Sequence, residues 1–238
     1  MIPSSVEVWR GSSQLTGEPI VVVLGGLYRP SSNRKTGPMV QAWILRQDMT
    51  PIEAARSGAD EAICGGCPLR ARVPGTLRQR QCYVNLGHGP RAVWQSWNAG
   101  RAQTLSPEAV APLLTGRALR LGAYGDPAAV PFRVWETLAA RASRVTGYTH
   151  QWARRGFDAR ILGLCMGSVD SAADVVRFEK KHPGARYFRT RPKGGALAAG
   201  ETQCPAAAES DTPWAQCISC GLCGGTRVAG PSVSIQLH

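Results

Sequence analysis

The sequence predicts an α/β protein: a full or partial parallel (β/α) barrel-like domain over residues 1–191, followed by a cysteine-rich, loop-like extension over residues 192–238. Three observations predict it. From residue 106 onward, short apolar runs alternate with amphipathic stretches, which is the pattern of βα units on a parallel sheet. Roughly seven or eight candidate strands arise along the chain, enough for a full or partial barrel. Beyond residue 191 the periodicity fades, and Gly, Ala, Pro and Cys dominate.

The elements follow in order. Ile20–Leu24 is an apolar strand run ended by Gly25 and Gly26, and Met39–Leu45 reads as a second strand. Pro51–Ser57 reads as a helix, with Thr50 as its N-cap and Pro51 at the first helical position. A Gly- and Cys-rich loop, a basic stretch from Arg70 to Arg80 and a strand over Cys82–Leu86 come next. Ser106-Pro107-Glu108 opens a helix that Gly116 ends. Strands are expected at Leu119–Ala123, Arg144–His150, Ile161–Ser168, Ala185–Thr190 and Val233–Leu237, and helices at Val130–Ala142 and Ser171–Lys181.

The bulk properties narrow the function classes. A chain of 238 residues builds its own core without disulfide staples. Its N-terminus lacks the basic and apolar regions of a secretion signal, and no apolar run approaches the roughly 20 residues that span a bilayer. A cytoplasmic, non-membrane protein is expected, and in that reducing setting clustered cysteines bind metal or do redox chemistry. The net charge is +12, carried by 24 arginines and only 4 lysines. Such a surplus reflects either compositional bias or a phosphate-bearing polyanion partner such as nucleic acid.

Seven of the eight cysteines fall into two groups. The first is Cys64-Gly65-Gly66-Cys67-Pro68, with Cys82 after an intervening stretch. The second is Cys204-Pro205 followed by Cys217, Cys220 and Cys223 in C-x2-C-x2-C spacing. Two-residue spacers aim neighbouring thiolates at one centre. The triplet with a remote Cys-Pro is the ligand style of bacterial ferredoxins. One or two [4Fe–4S] clusters are therefore expected, with zinc as the alternative metal. The second group alone supplies a full set of ligands. The fourth position of the first is Cys165, another side chain, or open to a small molecule. Cys165 lies in the apolar run Ile161–Met166, where a buried core cysteine is the plainer reading.

Two resemblances enter on these motifs. Ser32-Asn33-Arg34-Lys35-Thr36-Gly37, Cys64–Cys67, Cys82-Tyr83-Val84, Gly122–Pro127, Gly147–Trp152 and the cysteine tail together resemble a family of uncharacterised, bacteriophage-encoded cysteine-rich proteins. That resemblance implies a phage origin and the host cytoplasm. The order of motifs is also similar to radical S-adenosylmethionine enzymes, which are partial or full barrels holding a three-cysteine [4Fe–4S] cluster. Gly125-Asp126-Pro127 is similar to their turn that receives the cofactor's amino group, which implies cofactor binding by Tyr124, Gly125, Asp126 and Pro127. Ser168-Val169-Asp170-Ser171 is similar to a polar strand end in the same enzymes, and the tail resembles their auxiliary-cluster extensions. The chain departs from their C-x3-C-x2-C motif, having C-x2-C-x14-C instead.

The candidate catalytic residues are Lys35, Asp126, His150 and Asp170. Lys35 suits a phosphate or carboxylate contact, or simply an exposed loop. Asp126 suits a helix cap or an ammonium or hydroxyl ligand. His150, at a strand end, suits a structural hydrogen bond or general-base work. The tryptophans are expected as core anchors. No Ser-His-Asp order, close carboxylate pair or H-E-x-x-H motif points to a hydrolase. Two functions are expected to compete: a radical S-adenosylmethionine-like or related cluster-dependent redox enzyme fed by an electron donor, and a non-enzymatic cluster or zinc protein binding nucleic acid.

Overall fold

The computed structural model describes residues 4–71, 75–77, 80–207 and 215–237. Trp214 and parts of the basic stretch 70–80 lie outside them. The described residues form a mixed α/β architecture of two sheets.

The first sheet begins with β1 (Ser5–Ser12), β2 (Pro19–Gly25) and β3 (Val40–Arg46), paired antiparallel in succession. β4 (Gln103–Thr104) adds a short parallel edge beside β1. β5 (Ala118–Tyr124) and β6 (Arg144–Thr146) continue from β3 in parallel. β2 is buried along Ile20–Leu24 because strands flank it on both sides and elements cover both faces.

The second sheet is parallel throughout. It contains β7 (Tyr148–Thr149), β8 (Met166–Val169), β9 (Tyr187–Arg191), β10 (Glu201–Gln203) and β11 (Ser232–Gln236), in the order β10-β11-β9-β8-β7. The sheets meet where one strand is interrupted. β6 ends the first, β7 starts the second, and Gly147 lies between them. A Cβ at Gly147 would overlap Cys165 Sγ and approach Leu121 Cβ at 3.1 Å, so only glycine lets the chain pass here. No closed ring of strands forms among the described residues.

The helices are short. α1 (Pro51–Ser57) starts at Thr50 as its sequence predicts, with a capping box to Glu53. Thr50→Ala should therefore cost about 1 kcal/mol, read as a lowered midpoint in a denaturant melt. α2 (Glu61–Cys64) replaces the loop expected there, and α3 (Gly89–Asn98) was not anticipated. α4 (Pro107–Val110) is capped by Ser106 and continues as a 3₁₀ turn, Ala111–Leu114. α5 (Phe132–Ala139) buries Trp135 and Leu138, and α6 (Ala172–Lys181) starts on its Ser171 cap. Phe178 of α6 packs so closely on Gly167 that a Cβ there would collide with its ring. α7 (Cys217–Cys220) carries part of the cysteine triplet. No helix among the described residues is long and apolar enough to cross a membrane.

Several expectations are corrected. Cys82–Leu86 forms no strand. The expected Ile161–Ser168 strand starts inside a 3₁₀ turn, Ala159–Gly163, and the strand itself begins at Met166. The cysteine-rich tail is not only loop: β10 and β11 come from it and pair within the second sheet. β1 escaped notice because its buried Glu7 breaks the apolar pattern. Glu7 is buried because Arg10 pairs with it at 2.5 Å and the Trp97 indole donates to it at 2.6 Å.

Candidate metal centres

The first cysteine group sits beside the C-terminal ends of the parallel strands. β3 leads through α1 and α2 to Cys64 and the Cys67 loop, β5 ends at Asp126, β7 at His150 and β8 at Asp170. Backbone and side chains tie these ends together. Asp126 N donates to Ile63 O at 2.6 Å, just before Cys64. Gln151 Nε2 donates to Cys64 O at 2.9 Å, and Gly66 N donates to Gln151 Oε1 at 3.2 Å. Gly125, at φ +85°, lets the turn press onto β3, where an added Cβ would lie 2.7 Å from Ile44 Cβ.

Asp126 is fully occupied. Its carboxylate accepts from Ala128 N at 2.9 Å and from His150 N at 2.8 Å. Burial pushes its pKa up, and these hydrogen bonds with one from Thr149 oppose the rise. The cap reading of Asp126 is the one its contacts support. His150 Nε2 stands 3.1 Å from Asp170 Oδ2, and Thr190 Oγ1 donates to Asp170 Oδ1 at 2.5 Å. The Cys67 side chain also acts on His150. Burial lowers the imidazole pKa, but these two partners win and raise it to about 10. Cys64 is pushed well above an ordinary thiol, by burial first and then by Asp60 and the neighbouring Cys67 and Cys82. Burial raises Cys82 against the pull of Arg80.

The second group gathers on the second sheet. Cys204 and Cys223 pack with Met166, Val233 and Ile235. Cys204 N donates to Ser234 O at 2.8 Å, and Gly147 N to Cys223 O at 3.4 Å. The Ser32–Gly37 loop clasps α7. Cys217 N donates to Lys35 O at 2.9 Å, and Gln216 Nε2 donates to Arg34 O at 3.0 Å. Lys35 therefore borders the second group and not the strand ends where His150 and Asp170 meet. Burial pushes Cys204 and Cys217 upward and Cys223 to about 12, while the Tyr148 hydroxyl, donating to Cys223, opposes the last.

The thiols within each group act electrostatically on one another. Cys165 joins neither. It is 0% exposed inside the main core, and Asp126 is the neighbouring charge that acts on it. Among the described residues, no three His, Cys, Asp or Glu side chains stand ready-made to hold a metal ion. Thiols must lose their protons to bind metal, and burial raises the pKa of Cys64, Cys82, Cys204, Cys217 and Cys223 against that loss. The donor chemistry is that of a soft metal centre. One buried polar atom beside each group has no hydrogen-bond partner: the Tyr124 hydroxyl near Cys64 and Cys82, and Arg120 Nε near Cys217. Soft thiol donors are thus present in both places, while among the described residues no three of them stand where one metal ion could take them together.

Sequence reasoning missed Arg70, Arg120, Tyr148 and Arg186 as parts of these sites, because none lies in a cysteine motif. It left the arginine surplus open between compositional bias and a polyanion partner. Some of these arginines hold the chain's own carbonyls: Arg117 donates to Gly26 O and Leu27 O, Arg144 to Ile218 O and Ser219 O, and Arg154 to Leu15 O.

The chain matches no protein-family model, no curated protein and no solved structure.

Proposed function

We propose that this protein is an iron–sulfur enzyme of the radical S-adenosylmethionine type, or a closely related cluster-dependent redox enzyme, of phage-encoded, cytoplasmic character. One observation carries the reading: Cys64, Cys67 and Cys82 gather with the Gly125-Asp126-Pro127 turn, His150 and Asp170 at the ends of successive parallel strands. Chemistry in parallel α/β barrels is built at that edge. The parallel successions β3-β5-β6 and β7-β8-β9-β11-β10 support a partial barrel.

Cys64, Cys67 and Cys82 would hold the working cluster, and the second group an auxiliary one. When bound, such a cluster supplies the electron that cleaves the cofactor's carbon–sulfur bond. The chain's own residues do the positioning. Asp126 holds the His150 backbone, Gln151 fastens the Cys64 loop, and Asp170 orients the His150 ring, which is placed to hold or pass a proton. The Tyr124 hydroxyl, buried without a partner, is free to receive a polar group of the cofactor or substrate. Zinc remains the alternative metal for the same thiols.

The test is an anaerobic count of iron, sulfide and zinc, then electron paramagnetic resonance of the reduced protein with and without S-adenosylmethionine. About eight irons per chain, from two [4Fe–4S] clusters, and a signal altered by the cofactor are expected. About two zinc atoms and no iron would reject the reading.

A second reading rests on His150, which faces Asp170 at 3.1 Å and stands within electrostatic reach of Cys67. A thiol, an imidazole and an orienting carboxylate are the parts of a thiolate nucleophile that needs no metal. It requires selective alkylation of Cys67 in the metal-free chain, slowed at least tenfold in His150→Asn, and it fails if that rate is unchanged.

A further inference from the structure

One edge of the first sheet is built from acid-free sequence. It is the edge opposite the strand ends that carry Cys64 and Asp126. β2 ends there, and β3, β5 and β6 begin there, side by side in the sheet. Four stretches meet at this edge: 26–40, 115–119, 140–147 and 215–221. None contains Asp or Glu, and together they carry five arginines and one lysine. Hydrogen bonds fasten the stretches to one another. Arg117 donates to Gly26 O and Leu27 O, both at 2.6 Å. Ser143 N donates to Arg117 O at 2.9 Å, and Thr115 bridges to Ala142. Arg144 donates to Ser219 O at 2.8 Å, and Gln216 donates to Arg34 O at 3.0 Å.

The charges on this edge lack counter-charges. Arg29, Arg34, Lys35 and Arg141 are exposed. Neither they nor Arg117 and Arg144 belong to any ion pair among the described residues. Elsewhere exposed arginines do find carboxylates, as Arg160 does in Asp158 and Arg177 in Asp174. Three strand spacings of about 4.8 Å make the edge about 14 Å wide, and the loops extend it. Positive charge gathered over such a width repels itself and draws a polyanion. Tyr28, next to Arg29, is 58% exposed and is the one large apolar side chain that these stretches expose. Arginine forks match phosphate oxygens and stack on bases, and an exposed ring is a platform for an unpaired base. A lone tyrosine is too little apolar surface to seat a membrane, which an interfacial segment enters with a whole apolar face.

We propose that this edge binds single-stranded nucleic acid, with phosphates on Arg29, Arg34, Lys35 and Arg141 and one base stacked on Tyr28. Arg117 and Arg144 hold the loops in place through the chain's own carbonyls and add their charge to the field. Loops fastened in this way lose little freedom when a strand arrives. The surface stands whether or not the chain carries a metal, because none of these contacts involves a thiol.

The test is fluorescence anisotropy of the full chain with labelled oligothymidylate and oligouridylate of about 20 nucleotides, over about 50 to 200 mM salt. Binding that falls steeply with salt is expected, and the tighter of the two arms tells DNA from RNA. Arg29→Gln/Arg34→Gln/Arg141→Gln should weaken binding about tenfold or more. It should also flatten the log–log salt slope by about 2, because each phosphate contact on a single strand accounts for about 0.7. Tyr28→Ala should weaken binding about fivefold or more and leave the slope in place. Arg155→Gln/Arg160→Gln/Arg177→Gln removes the same charge from exposed positions outside this edge and should change binding by less than about twofold. Every substituted side chain is exposed, so thermal melts should match wild type. The inference is overturned if neither oligonucleotide binds at the lowest salt, if the outside triple weakens binding as much as the edge triple, or if Tyr28→Ala binds as wild type does. Vesicles of phosphatidylserine and phosphatidylcholine that bind as tightly, with the same loss in the edge triple, would make the surface a membrane contact and overturn it too.

Discussion

Arg70→Met should cost about 3–5 kcal/mol of folding stability, among the largest effects of any single change outside the hydrophobic core. Arg70 Nε and Nη2 donate to Asp60 Oδ1 at 3.0 and 2.6 Å, Nη1 donates to Gly65 O at 2.7 Å, and Nη2 donates to Gly58 O at 2.6 Å. Asp60 is 2% exposed. Methionine keeps the aliphatic bulk but strips a buried carboxylate and the Gly65 carbonyl of the Arg70 bonds, while Gly58 O keeps only its bond from Glu61 N. The measurement is urea unfolding of the single variants and of Asp60→Asn/Arg70→Met together. The double variant should recover much of the loss, because the penalty is the stranded charge and not the missing attraction. A loss under about 1 kcal/mol in Arg70→Met would mean that water reaches Asp60 and the brace is weak. Gly58, Asp60 and Gly65 frame the turn that presents Cys64 and Cys67, so the variant should also retain less metal at the first centre.

The second large effect is a contrast among cysteines. Cys64→Ala and Cys217→Ala should each remove about four irons per chain, from different centres. Cys165→Ala should leave the iron count unchanged and cost about 1 kcal/mol through the small cavity it opens in the core. Metal analysis of the three variants, with thermal melts alongside, reads both quantities. Loss of iron in Cys165→Ala would make it a ligand after all. Retention of all iron in Cys217→Ala would dissolve the second centre as assigned.

Some of this was legible in the chain because its causes are local. Thr50-Pro51 and Ser171 announce helix starts, since a cap needs only the next few residues. The succession of short strands and helices announces parallel pairing, and the strand ends that carry Asp126, His150 and Asp170 do meet.

Other features depend on residues far apart in sequence. Tertiary packing sends Lys35 to the tail's cysteines, through Cys217 N on Lys35 O, and away from the strand ends. It makes β1 a strand by burying Glu7 under Trp97. It draws β10 and β11 from the cysteine-rich tail into the second sheet, where their backbone groups find partners. It splits the expected barrel at Gly147, where the chain must pass over Cys165.

By itself, then, the sequence determined how the cysteines are spaced and where α1, α4 and α6 begin, because spacing and capping act over a few residues. Only the tertiary structure decided which charges surround each group and which cysteine is merely core. Those are properties of packing among segments that the chain order keeps far apart.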